Sequence, residues 1–465
     1  MGPGSFSMRP CGLALLLTTC LFASVFGALR TPAAATAATR PNVIIINTDD
    51  QRGPGTLDAM PKLRAWLKAQ GRIYWHGVVN SPSCCPNRSS LMTGLYVHNH
   101  HVDSQHATPN FPTYRSLQHY LHGAGYYTGI AGKYLNNWNL SYKPPDFDRD
   151  AVLSGGYTNQ SWNVDGVRKR LYGYTTTIIG DKSVEFLKSW KAQNDARPFY
   201  LYVAPTAPHS PFVPEAKYAN YPILGWSGDP AVNEDTSDKP PFLRVHAPIP
   251  WSTITSTRVQ QLRCLKSVDD VVGRLHDLLQ SQGELWNTLV IYTSDNGYEW
   301  GEHRWISKFV PYSESVHVPL LMAWPGHIPA GDIQQTRWAN TVDIMPTVLQ
   351  AAGVAPNPAY PMDGRSLLGP DMHTRAFMEY FNDSANGAEI NAWAADRTLT
   401  YLYVEDYNVD GSLLMREYYD LTADRWEVDN LLADGDPSND PPAARLDGLH
   451  AQLAADRTCK AGTCP

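Results

Sequence analysis

Apolar positions along this chain alternate between two patterns. Short continuous runs rich in β-branched residues, at 41–48, 125–133, 198–204, 287–293 and 318–323, read as strands buried on both faces of a parallel sheet. Between them, residues 60–70, 177–192, 257–279 and 341–352 carry apolar side chains at helical spacing. The clearest is 257–279, where Leu262, Leu265, Val268, Val272, Leu275 and Leu279 form one stripe. Strands alternating with helices predict a doubly wound, mostly parallel α/β sheet flanked by helices. After residues 362–368 the pattern changes. Residues 375–380, 398–404 and 415–420 read as antiparallel strands, followed by a helix over 445–455. The chain is therefore expected to divide near Gly369, into a large α/β domain (40–369) and a smaller C-terminal α+β domain (370–465) carrying an antiparallel sheet. The polar, aromatic and Gly-rich stretch 140–174 is expected to leave the sheet. The Pro-rich stretch 221–251 is too long for a plain connector and suits a lid or specificity loop.

Residues 1–39 have a different character. Arg9 precedes an apolar run over 13–26, and Phe26-Gly27-Ala28 offers small residues for cleavage, so an export signal followed by a flexible Ala/Thr-rich leader is expected. The run is short for a bilayer span, an uncleaved anchor being the other reading, and no later stretch looks transmembrane. A secreted or extracellular location follows, periplasmic or lysosomal according to the source, with no stable membrane insertion. A length of 465 residues, 43% hydrophobic and 18% charged, is that of a globular protein larger than one ordinary core. A net charge of −7 argues against a nucleic-acid partner, which would draw on clustered Lys and Arg. Of seven cysteines, Cys11 and Cys20 belong to the leader. Cys459 and Cys464 are close enough to pair, Cys85 and Cys264 are either paired or buried, and Cys84 is the odd thiol.

Ligands of an open α/β sheet bind beyond the carboxyl ends of its strands. Here those ends deliver Asp49 and Asp50, Lys133, His209, and Asp295 with Asn296. Taken singly, each has an ordinary explanation: a helix cap, a solvated lysine, a structural histidine, a turn. Their shared topological position points instead to one site, and oxygen donors without paired histidines suit Ca2+ or Mg2+ better than zinc. Cys84, at the start of a helix-forming segment with Arg88 one turn on, adds a nucleophile in a setting that favours anions.

The stretch Cys84-x-Pro86-x-Arg88, closed by Leu91-Met92-Thr93-Gly94, resembles the sulfatase signature. Further landmarks of that family match from Pro41 to Leu431, including Lys308 before Val318-Pro319-Leu320, Asp343-Ile344-Met345-Pro346-Thr347 and Tyr418-Tyr419-Asp420-Leu421. Cys84-Cys85-Pro86, His98 to Val102, Ala131 to Asn136 and Ala207 to Pro211 are most similar to the N-acetylglucosamine-6-sulfatase branch. The resemblance implies a sulfuric ester hydrolase acting on a 6-sulfated amino sugar of a glycosaminoglycan-like polymer. It implies that a formylglycine-generating enzyme converts Cys84 to formylglycine. It also implies metal ligation by Asp49, Asp50, Cys84, Asp295 and Asn296, with Ca2+ expected and Mg2+ as the alternative. Arg88 would stabilise the aldehyde hydrate, Lys133 and Lys308 would neutralise sulfate oxygens, and His209 or Lys308 would protonate the departing alcohol. One position departs from many sulfatases, which have a histidine two residues after the lysine; here it is Leu135. His100 or His101 is the candidate for that role. The other readings are a broad arylsulfatase, a phosphate or phosphonate monoester hydrolase of the same superfamily, and a non-catalytic module that binds sulfated glycans. Asn139, Asn159 and Asn382 begin glycosylation sequons, as does Asn87 beside the nucleophile.

Overall fold

The computed structural model describes Met1 and residues 40–465, apart from 195, 372 and 384–389. The export signal and leader expected over 1–39 therefore lie, Met1 aside, outside the described residues. Ten strands build the main sheet: β1 (Asn42–Thr48), β2 (Arg72–Val78), β3 (Tyr127–Lys133), β4 (Arg149–Leu153), β5 (Ser161–Val164), β6 (Val167–Arg170), β7 (Phe199–Ala204), β8 (Thr288–Ser294), β9 (Leu321–Ala323) and β10 (Asp332–Asn340). Their spatial order is β10-β2-β9-β8-β1-β7-β3-β4-β5-β6. The run β8-β1-β7-β3-β4 is parallel throughout, and β9 runs antiparallel to both its neighbours.

The continuous apolar runs are explained by burial on two faces. Ile44 and Ile46 of β1 pack with Leu201, Val203, Val290 and Tyr292 under the helices Thr175–Gln193 and Trp251–Ser281, which contribute Phe186, Leu187, Leu262 and Leu265. Val43 and Ile45 point the other way. They join Tyr200, Tyr202, Leu289 and Ile291 beneath the helices Cys84–Thr93 (Leu91, Met92) and Ile344–Ala352 (Met345, Val348, Leu349). Each such side chain removed from water stabilises the fold by about 1.5–3 kcal/mol, so this double-faced core holds the central strand ends rigidly.

A second sheet, in the order β11-β12-β13-β14, is wholly antiparallel: β11 (Ala376–Tyr380), β12 (Ala392–Arg397), β13 (Tyr401–Tyr407) and β14 (Leu413–Asp420). One of its faces packs on Val310, Tyr312, Val316 and Val318, just beyond the main sheet's strand ends. The other is covered by Leu449 and Leu453 of the helix Ala443–Asp456, beside a Cys459–Cys464 disulfide. Cys85 and Cys264 are both buried free thiols. No helix among the described residues is long and apolar enough to cross a membrane.

The structure departs from the sequence reading in several elements. Residues 140–174 do not simply leave the sheet, because β4, β5 and β6 extend it. β6 is fully exposed along its length and so carries no apolar signal. The run 318–323 contracts to three residues of strand. The mostly solvent-facing edge strand β10 and the Ala-rich β12 were not expected.

Candidate active site

The parallel register brings distant carboxylates level. Thr48 of β1 pairs with Ser294 of β8, so Asp49 and Asp295 leave the sheet side by side. Their amides are anchored there: Asp49 N donates to the Ala207 carbonyl (3.3 Å) and Asp295 N to that of Thr48 (3.1 Å). Asp50 turns into the left-handed region (φ 69°), which a short acidic residue tolerates, and its amide donates to Asp295 Oδ1 at 3.1 Å. Gly132 of β3 pairs with Ala204 of β7, which sets Lys133 beside the start of the loop that carries His209.

Cys84 is the first residue of a ten-residue helix whose every member is buried, and which stops at Gly94 in the left-handed conformation (φ 68°). Arg88, one turn on, lies on the same helical face. Its Nε donates to Asp295 Oδ2 at 2.7 Å and its Nη1 to the Lys133 carbonyl at 3.0 Å. Two residues not singled out in the sequence fix this helix start. Gln105 accepts from Cys85 N (3.2 Å) and donates to Ser83 (3.0 Å), while Thr341 donates to Asn87 Oδ1 (2.5 Å). No local pattern marks either, since both act across long stretches of chain. Full burial of Asn87 closes its sequon to a glycan.

The Cys84 thiol donates to Asp49 Oδ1 at 3.3 Å and Asp50 Oδ1 lies 3.9 Å away. Lys308 Nζ donates to Cys84 Sγ at 2.7 Å and also to Asp50 Oδ1, with Asn296 Oδ1 at 3.5 Å. Asn296 Nδ2 donates to Asp50 Oδ1 at 2.7 Å, and Lys133 Nζ to Asp49 Oδ2 at 2.7 Å. His209 Nε2 stands 3.7 Å from Asp50 Oδ2 and, at 36% side-chain exposure, is the open member of a group otherwise sealed from solvent. The nine residues assigned from the sequence to metal ligation or to the sulfate chemistry thus meet in one place. Donor atoms of Asp49, Asp50, Cys84 and His209 lie within 4.8 Å of one another, an acidic cluster able to hold a metal ion.

Electrostatics follows from this packing. Burial alone would raise the Asp49 carboxyl, but Lys133, His209, Arg88 and Lys308 outweigh it and hold the group well below its ordinary value. Burial, then Asp49, pushes Asp295 up against the pull of Arg88. The Cys84 thiol is raised by burial and by Asp295, more than Lys133 and Lys308 lower it, so as a thiol it is a poor nucleophile. Three carboxylates (Asp49, Asp50, Asp295) face three cations (Arg88, Lys133, Lys308), and the buried charge balances.

Neither histidine considered in place of Leu135 makes a hydrogen bond to this group among the described residues. His100 is buried with both ring nitrogens engaged, Nε2 by Ser90 Oγ (2.8 Å) and Nδ1 by Val102 N (3.0 Å). Burial pushes it down to about 3, so it is a neutral core residue. His101 is exposed and turns the chain at φ 60°.

Residues 41–354 match the family model described as Sulfatase, and residues 301–452 match that described as N-sulphoglucosamine sulphohydrolase, C-terminal. The chain is 36% identical over 356 residues to an extracellular sulfatase SULF-1 homolog of Drosophila melanogaster, covering 71% of this chain and 31% of that protein. It is 29% identical, over an alignment of 536 positions, to the N-acetylglucosamine-6-sulfatase of Homo sapiens, covering 98% and 90%. It thus spans 31% and 48% of the length of the two extracellular sulfatase relatives it matches. A solved structure of a complex with D-glucosamine-2-N,6-O-disulfate superposes with a TM-score of 0.74 at 22% identity, over 89% of this chain and 97% of that one, which is likeness of fold.

Proposed function

The chain belongs to the sulfatase family, and on that premise we propose that it hydrolyses the sulfate ester of a 6-sulfated glucosamine-type sugar, with residue 84 as an aldehyde nucleophile. The observation that carries the reading is the placement of Cys84 Sγ. It lies 2.7 Å from Lys308 Nζ and 3.3 Å from Asp49 Oδ1, at the meeting point of every charged strand end. A thiol raised by burial is a poor nucleophile there and has no second hydroxyl through which to release sulfate, whereas an aldehyde can be hydrated. Hydrated, that aldehyde supplies two geminal hydroxyls, one to attack sulfur and one whose proton is lost as sulfate leaves.

The donors Asp49, Asp50, Asp295 and Asn296 are all oxygen-bearing and buried, which fits Ca2+ or Mg2+. An ion held by these residues would supply Lewis-acid polarisation of a sulfate oxygen and two positive charges, in a site otherwise balanced, for an anionic substrate. The chain's own groups do the rest. Lys133 and Lys308 hold sulfate oxygens in a dry site where charge–charge contacts are strong. Arg88, one helical turn beyond residue 84, pins Asp295 and supplies positive charge that stabilises the hydrate. His209, at the open side where the sugar must enter, is placed to protonate the departing alcohol oxygen.

The substrate assignment is supported by alignment over nearly the whole chain with the human enzyme named N-acetylglucosamine-6-sulfatase. An exported location, and maturation by a formylglycine-generating enzyme, belong to the same proposal. The test is a panel of defined sulfated mono- and oligosaccharides beside an aryl sulfate and an aryl phosphate. The highest kcat/KM on the 6-O-sulfated glucosamine sugars supports the reading. A dominant rate on the phosphate ester overturns it in favour of a phosphomonoester hydrolase.

A further inference from the structure

The loop that begins at Asp295 and Asn296 and ends at Lys308 passes through a second concentration of buried charge. Glu299, Glu302 and His303 on this loop are wholly buried, and Glu314 nearly so. One guanidinium faces the three glutamates. Arg52 reaches Glu302 Oε1 at 2.8 Å and Glu314 Oε1 at 3.2 Å, stacked 4.3 Å over Trp300. The second oxygen of Glu302 accepts from Trp300 N at 2.5 Å. Glu302 is thereby satisfied, and Arg52 has both Nη groups engaged, while its buried Nε has no partner among the described residues.

Glu299 is not satisfied. Among the described residues neither of its carboxylate oxygens has a hydrogen-bond partner, although the side chain has no contact with solvent. Such a group is costly to bury alone. Burial, then Glu314 and Glu302, push its carboxyl well above the ordinary value, with Arg52 pulling the other way. His303 shows the complementary arrangement. Nδ1 is held by Glu234 Oε1 at 2.6 Å, and Nε2 has no partner among the described residues. An imidazole fixed on one nitrogen by a carboxylate is the usual setting of a metal-binding histidine. Donor atoms of Glu299, His303 and Glu314 all lie within 4.8 Å of one another. The Glu299 oxygens have no hydrogen-bond partner among the described residues, and donor atoms gathered within 4.8 Å need only a small inward shift to converge on one cation at about 2.0–2.3 Å from each.

We propose that Glu299, His303 and Glu314 hold a second divalent cation of the transition-metal class, Mn2+ or Zn2+. Two carboxylates with one imidazole favour that class over Ca2+, which takes oxygen ligands. The ion neutralises the carboxylate excess that Arg52 leaves. It also clamps the loop to the segment around Glu314, where Gly297 N donates to Ser315 O (2.8 Å) and Tyr298 N to Glu314 O (2.7 Å). Asn296 at one end of that loop and Lys308 at the other both touch Asp50, so the cation is a positioning element behind the catalytic group. This inference rests on no assumption about Cys84.

The test is metal content by inductively coupled plasma mass spectrometry. Full-length protein is stripped with chelator, reloaded with excess Ca2+, then given Mn2+ or Zn2+ in separate arms and desalted. One Mn2+ or Zn2+ per chain is expected to remain in the wild type and none in Glu299→Gln, whose Ca2+ content stays unchanged. The melting temperature should rise with Mn2+ in the wild type only. A wild type that retains neither ion beside Ca2+, or a variant that retains as much, overturns the proposal and leaves Glu299 to a buried water or a proton. Should the variant not fold, anomalous scattering from Mn2+-soaked wild-type crystals decides, by a peak bonded to Glu299 or by none.

Discussion

Arg88 ties the nucleophile helix to the sheet, and its removal is the most quantitative structural test of the site. The guanidinium is wholly buried, bonded to Asp295 at 2.7 Å and to the Lys133 carbonyl at 3.0 Å, with Asp49 at 3.9 Å. Replacing it by methionine keeps much of the volume but strands Asp295, a carboxylate sealed from water and beside Asp49. Breaking a buried pair in this way costs about 3–5 kcal/mol, a large part of the roughly 5–15 kcal/mol that holds a protein folded. Urea unfolding followed by tryptophan fluorescence, with chelator present, reads the loss as a lowered midpoint. The double variant Arg88→Met, Asp295→Asn removes both charges. It should recover at least about 1 kcal/mol relative to the sum of the single losses, the coupling expected of residues in direct contact. A single variant within about 1 kcal/mol of wild type, or strict additivity in the double variant, would refute the view that charge balance holds this site together.

The remaining predictions concern the chemistry and the surrounding frame. Lys133→Ala removes the ammonium 2.7 Å from Asp49 and is expected to lower kcat by on the order of 10²–10³ on a sulfate ester; steady-state kinetics checks this, and an unchanged kcat would remove Lys133 from the reaction. Gly297→Ala places a methyl 2.0 Å from the Glu314 carbonyl oxygen, which should cost about 1–3 kcal/mol by overpacking and displace Asn296, read as weaker Ca2+ binding by calorimetry. Asp396, buried beside Asp456, is pushed up to about 7 by burial and that neighbour; its folded state therefore binds a proton that the unfolded chain has lost. The resulting stabilisation is complete below pH 4 and disappears as pH rises through 7. Asp396→Asn should flatten that decline in thermal melts, and an unchanged slope would mean another group carries it.

The parts of this structure that the chain announces are those governed by local pattern. β1, β3, β7 and β8 are continuous apolar runs because both their faces are covered, and the polar residues that follow each run had to fall on one edge. Cys84 and Arg88 could be placed together because one helical turn separates them. What stayed hidden depends on partners far along the chain. β6 (Val167–Arg170) and β10 are exposed edge strands whose only claim to be strands is a neighbour's backbone. Gln105 braces Cys85 across 20 residues, and Arg52 meets Glu302 across 250. Glu299, Glu302 and Glu314 carry no pattern that ties them to Arg52, two places beyond Asp50; the fold alone brings them together. His100 misleads for the converse reason, since a histidine near a nucleophile in sequence is here part of the core.

The central claim is that residue 84 works as an oxidised carbon and not as sulfur. It is tested most directly by mass spectrometry of the peptide carrying residue 84, taken from protein preparations whose sulfate-ester turnover has been measured. The account predicts an aldehyde at this position, in a fraction that rises in proportion to turnover across preparations. Full turnover by protein whose residue 84 is an unmodified thiol would contradict it.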